Sequence, residues 1–122
     1  MVKFLTFRFL DDGLNRRLIA FLRKTKIRHV VGRDGTISYH PDDEDAFEND
    51  AVCTIRDEIL PQWQVLTCPR NWVVRYRKYM DRNGIPFHEE VNNGEVWFLL
   101  SRKYRPERWK LDARKRVERI AS

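Results

Sequence analysis

A chain of 122 residues, 42% hydrophobic and 34% charged, is long enough for one hydrophobic core, too short for two independent ones, and too apolar to be disordered. No stretch reaches membrane-spanning length, and the apolar run near the start contains Arg8 and lacks the small-residue cleavage site of a signal peptide. Cys53 and Cys68 sit in neither metal nor redox spacing and are too few to staple a secreted scaffold, so a cytoplasmic protein is expected.

The net charge of +6 is unevenly placed. Residues 1–60 hold ten Lys/Arg against eleven Asp/Glu, and residues 61–122 hold fourteen against seven. The excess gathers in Arg102, Lys103, Arg105, Arg108, Lys110, Arg114, Lys115, Arg116 and Arg119, opposite an acidic run, Asp42 to Asp50, in the first half.

In chain order, Val2–Phe9 reads as a strand, and Asp11-Asp12-Gly13 ends it and caps a helix. In that helix Leu14, Leu18, Phe21 and Leu22 fall on one face, which predicts a buried stripe. Ile27–Val31 and Thr36–His40 predict a hairpin turning at Asp34-Gly35. Pro41-Asp42 opens a second helix whose acidic first turn suits the positive end of the helix dipole, with Phe47, Ala51, Ile55 and Ile59 inward. Pro61 stops it.

The same grammar then restarts. Trp63–Cys68 predicts a strand, and Trp72, Tyr76, Tyr79 and Met80 repeat the i, i+4, i+7, i+8 ladder of the first helix. Asn83-Gly84 ends that helix, Ile85–Val91 and Glu95–Ser101 form a hairpin, and Asn93-Gly94 supplies a type I′ turn. Arg105-Pro106-Glu107 opens a last helix with Trp109, Ala113, Val117 and Ile120 inward.

The expected fold is therefore α+β: a tandem βαββα repeat over about 1–60 and 61–122, forming one domain. Its single six-stranded, mainly antiparallel sheet would carry all helices on one face, with Phe4–Phe7 pairing Val65–Cys68 about a pseudo-twofold axis. The pattern resembles small ferredoxin-like and ACT-type regulatory modules. From Trp63 to about Val117 it also resembles the cytosolic N-terminal domain of rhomboid proteases, through Tyr79-Met80, Gly84-Ile85, Val96-Trp97 and the charged final helix. These resemblances imply a fold and carry no catalytic residues.

Strand alternation places His88, Glu90, Trp97 and Leu99 on the face away from the helices, so His88 and Trp97 mark a candidate binding surface. His29, His40 and His88 are too dispersed for a metal site, Cys68 matches no nucleophile signature, and neither Gly-containing turn opens a helix as a phosphate loop does. The first hairpin also lacks the paired exposed aromatics with which RNA-recognition sheets stack bases. No enzyme, cofactor or small-molecule ligand is implied. The expected function is a small regulatory or protein-interaction module, binding a protein partner or itself. The alternative is a nucleic-acid binder using the basic segment Arg102, Lys103, Arg105, Arg108, Lys115 and Arg119.

Overall fold

The computed structural model describes residues 2–104 and the backbone of 120–121. Strand β1 (Leu5–Phe9) leads into helix α1 (Asp12–Lys24), where the Asp11 carboxylate accepts from the Leu14 N–H at 3.0 Å and so caps the first turn. Leu14, Leu18 and Leu22 are buried as their spacing requires, while Phe21 is only half-buried at the edge of the stripe. Two short strands follow, β2 (Val30–Val31) and β3 (Ile37–Tyr39).

The predicted second helix is three pieces: a 3₁₀ turn at Pro41–Asp43, a π-helix at Ala46–Val52, and helix α2 (Cys53–Ile59). The wider i→i+5 turn buries Phe47, Ala51 and Val52 together, and the following α-helical stretch buries Arg56 beside Ile55. The chain continues through β4 (Trp63–Thr67), a 3₁₀ turn at Arg70–Trp72, α3 (Val73–Arg82), β5 (His88–Asn92) and β6 (Glu95–Ser101).

Six strands form one open antiparallel sheet in the order β2-β3-β1-β5-β6-β4. The backbone of Ile120–Ala121 adds to the free side of β4 as β7, so Ile120 belongs to a strand and not to the inward face of a helix. The first strands of the two halves do not pair. Phe7 lies opposite Asn92 and Phe9 opposite Glu90, so β1 takes β5 as its neighbour, while β4 lies between β6 and β7. The β5–β6 turn strengthens this choice: Asn93 accepts from the Thr6 N–H at 2.8 Å through its side chain and donates its own N–H to the Thr6 carbonyl at 3.0 Å.

This order moves the helices to both faces of the sheet, against the expectation of one. Val65 and Leu99 pack with Phe7, Phe9, Ile37 and Tyr39 under α1, the π-helix and α2. Their chain neighbours Leu66, Phe98 and Leu100 pack with Tyr76 and Met80 of α3. Adjacent residues of a strand point to opposite faces, so the two clusters lie on opposite sides. Behind β1 and β3 the second face carries Thr6, Arg8 and Ser38, none of them buried.

The two turns also differ. Asn93 and Gly94 have φ of 50° and 85°, as a type I′ turn requires. In the first hairpin only Gly35 is left-handed, at φ 90°, and the Asp34 carboxylate closes a wider loop by accepting from the Thr36 N–H at 2.9 Å. A Cβ at Gly35 would stand 3.0 Å from the Asn15 amide nitrogen, so the close approach also demands glycine.

Candidate functional site

The face predicted to be open at His88 and Trp97 is covered by α2 and the π-helix of the first half. His88, Glu90 and Asn92 alternate toward that cover along β5; Glu90 is fully buried and Asn92 nearly so. Arg56 descends from α2 onto Glu90, with Nε donating to Oε2 at 2.8 Å and Nη2 to Oε1 at 2.5 Å, while Asn92 Nδ2 donates to Oε1 at 3.2 Å. Burial opposes the Arg56 charge, but the Glu90 bonds outweigh it and raise the guanidinium pKa. The same guanidinium lies 4.7 Å from the centre of the Trp63 ring. Because Glu90 is committed to Arg56, His88 and Glu90 do not form an acid–base pair.

Beside this ion pair lies a cavity of about 240 Å³. Phe7 and Val65 line it from the sheet, Val52 and Glu48 from the π-helix, and Trp63 and Trp97 add two indole walls. Glu48 is half-buried; its Oε1 accepts from the Tyr39 hydroxyl at 3.4 Å, and burial together with Glu44 pushes its carboxyl above the ordinary range. Burial also raises the Cys53 thiol, which faces the same space and is therefore a poor nucleophile at neutral pH. The Trp97 indole N–H is buried without an acceptor among the described residues.

Of the residues predicted to act, the structure brings Trp97 and His88 onto one face and holds Trp97 half-buried against the core. Arg102 and Lys103 lie beyond them in the turn after β6. Arg102 donates through Nε to the Trp63 carbonyl at 2.9 Å, and the Lys103 ammonium lies 5.0 Å over the Tyr104 ring. Arg105, Arg108, Lys115 and Arg119 lie outside the described residues. Among the described residues no group of His, Cys, Asp and Glu could hold a metal ion, and no helix is long and apolar enough to cross a membrane. Cys68 is buried, and its thiol is pushed up to about 11 by burial.

Sequence reading missed Arg56, Glu90 and Glu48 as a group. Alternation set Glu90 on the face expected to be open, where a charge needs no buried partner, so no local signal marked the group.

A second surface lies at the other end of the sheet. Among the described residues strand β2 is paired on one side only, and Phe4 (48%), Val30 (63%) and Val31 (37%) are exposed around it. Phe4 and Val30 border a groove of about 170 Å³ with His29, Tyr39 and His40. The Phe4 ring meets His40 edge-on at 5.9 Å.

The chain matches no family model, no curated protein and no solved structure.

Proposed function

We propose that this chain is a small regulatory or protein-interaction module without catalytic activity, and that it works by pairing with a second copy through β2. The observation that carries the reading is the apolar edge itself. A free edge strand presents a row of outward backbone N–H and C=O groups, and it is commonly blunted with Lys, Pro or a covering element. Here both residues of β2 are valines in solvent, and exposed Phe4 borders the same groove as Val30. The opposite edge shows that this sheet accepts a very short added strand, since β7 is only two residues long.

A second copy suits the edge better than an unrelated strand. Antiparallel pairing of β2 with itself is isologous, so the same apolar patch meets itself across a two-fold axis. Such pairing also sets the residues before one β2 against those after the other, bringing Arg28 of each copy toward Asp34 of its mate. Both side chains are largely in solvent, at 66% and 64%, and within one copy Arg28 pairs with Asp43 and Asp34 with Arg8, so a contact across the axis would exchange with these pairs. The histidines support a non-catalytic reading, as His29 Nδ1 is held by the Ile27 carbonyl and His40 Nδ1 by the Asp42 N–H. Two free, unpaired cysteines suit a reducing cytoplasm.

The duplicated ferredoxin-like origin belongs to the same proposal. Both halves have the order hairpin strand, hairpin strand, first strand, and β5-β6-β4-β7 is a split βαβ arrangement completed by a fourth strand. The nucleic-acid alternative rests on the basic segment after β6.

Sedimentation velocity across a concentration series tests the pairing. Wild type should show a monomer–dimer equilibrium that Val30→Lys abolishes, with little change in folding stability because Val30 is exposed. A wild type that stays monomeric at millimolar concentration overturns the pairing. If it then binds a homopolymeric RNA in a salt-sensitive way, the nucleic-acid reading replaces it.

A further inference from the structure

We propose that the solvent face of helix α1, together with the turn that ends it, is a docking surface for the phosphate backbone of nucleic acid. The surface is separate from the basic segment after β6, and it does not depend on pairing through β2.

Charge singles out this stretch. Residues 13–33 hold seven Lys/Arg and no Asp or Glu. The fold then decides which of these cations are free. Arg17 is taken by Glu58 and Arg28 by Asp43, whereas Arg16, Arg23, Lys24 and Lys26 are exposed and have no ion-pair partner among the described residues. The helix dipole accounts for cations in the last turn, as at Arg23 and Lys24, but not for Arg16, which stands in the half nearer the positive end. Arg16, Ala20 and Arg23 fall at i, i+4 and i+7 and, with Ile19, line a shallow groove of about 270 Å³. From Arg16 to Lys26 the helix advances about 15 Å, over which one strand of a duplex presents about four phosphates.

The turn supplies an independent observation. Helices α1 and α3 end in the same motif: Lys26 and Ile27 donate their N–H groups to the Arg23 and Leu22 carbonyls at 3.3 and 3.0 Å, as Gly84 and Ile85 do to Asp81 and Met80 at 3.2 and 2.9 Å. The motif needs a left-handed residue, and φ is 65° at Gly84 and 59° at Lys26. Glycine takes that conformation freely, while a lysine Cβ crowds the following carbonyl. The first half therefore carries a cation where its counterpart relieves the backbone, and strain of this kind clusters at functional sites.

The partner follows from what the surface lacks. Leu14, Leu18 and Leu22 are in the core, so α1 has no apolar stripe left to insert into a bilayer. No exposed aromatic or large aliphatic side chain lies between Arg16 and Lys26 to anchor a protein or to stack a base. What remains is a row of free cations, and a backbone of regularly spaced phosphates is its complement.

Anisotropy of a labelled mixed-sequence DNA duplex, titrated with the full chain over a salt series, tests the proposal. Wild type should bind in a salt-dependent way. Replacing Arg16, Arg23 and Lys26 together by Gln should weaken binding roughly tenfold or more at low salt and flatten the log–log salt slope by about 2 to 3. Replacing Lys3, Lys78 and Arg82 by Gln, which removes the same net charge elsewhere, should leave binding as in wild type. Lys26→Gly should bind more weakly yet melt at a higher temperature, because it loses the charge and the strain together. No salt-dependent binding by wild type, equal losses in the two triple variants, or wild-type binding by the α1 variant would each overturn the site. Polyglutamate competing as well as unlabelled duplex would assign the surface to an acidic protein instead. Circular dichroism shows whether the α1 variant is folded; if it is not, the binding of Lys26→Gly decides alone.

Discussion

Glu89 and Glu90 are consecutive residues of β5, and each receives two hydrogen bonds from one arginine on a helix. Arg77 of α3 holds Glu89 at 2.7 and 2.6 Å on one face, and Arg56 of α2 holds Glu90 at 2.8 and 2.5 Å on the other. The geometry is the same and the surroundings are not. Arg77 is 41% exposed and Glu89 12%, against 9% and 0% for Arg56 and Glu90. Water can take over from either partner of the first pair; in the second it reaches only the side of Arg56 that lines the cavity and not Glu90. What the contrast teaches is that the cost of breaking an ion pair is set by what remains behind, since a charge stranded in a dry interior keeps its desolvation penalty.

The largest expected effect follows from that contrast. Arg56→Ala should destabilise the protein by about 3–5 kcal/mol, because it abandons a fully buried carboxylate. Arg77→Ala should cost at most about 1 kcal/mol, in the range of exposed pairs. Urea denaturation of both variants measures the difference, and equal costs would mean that the two faces of β5 are equally wet. The double variant Arg56→Met with Glu90→Leu sharpens the point: replacing both charges should restore most of the stability lost by removing one.

A second contrast lies at the starts of the two main helices. Asn15, in the first turn of α1, accepts from the Phe9 N–H at 3.0 Å and donates to the Gly35 carbonyl at 2.8 Å, tying the end of β1 to the first hairpin turn. The matching position in α3 is Val73, an ordinary apolar contact. Asn15→Ala should therefore cost about 1–3 kcal/mol, since it orphans buried backbone groups. Hydrogen exchange should show the loss at the Phe9 amide first. Protection there equal to wild type would show that the clamp is dispensable.

These contrasts mark how far the sequence could be read. The stripes of α1 and α3, the alternation of β5 and β6, and the Asn93-Gly94 turn follow from local periodicity and backbone sterics, and the structure has them; the second predicted helix is broken into three pieces, and Trp109, Ala113 and Val117 of the last lie outside the described residues. Alternation along β6 correctly separated Trp97 and Leu99 from Phe98 and Leu100, but it states only that two faces exist and not what covers them. Whether β1 would meet β4 or β5 depends on free energies of long-range pairing that no local pattern encodes. The inward turn of Arg56 was hidden for the same reason. Its partner is 34 residues away, and the π-helix that shifts its register has no compositional signature.

The smallest expected effect compares the two carboxylates of the candidate site. Glu90 has its arginine, while Glu48 has burial and Glu44 against it, and these raise its pKa above the ordinary value of 4.5. The sign follows from linkage. Below 4.5 the carboxyl is protonated in folded and unfolded chains alike, and its contribution is most favourable. As pH rises through the folded value that contribution is lost, because only the unfolded chain ionises freely. At neutral pH Glu48 is thus a net cost to the protein, and Glu48→Gln should stabilise it, by less than about 1 kcal/mol because the side chain is only half-buried. The gain should be smallest in acid, grow as pH rises above 4.5, and level off once the pH passes the raised folded value. A gain that is independent of pH would place Glu48 in ordinary solvent.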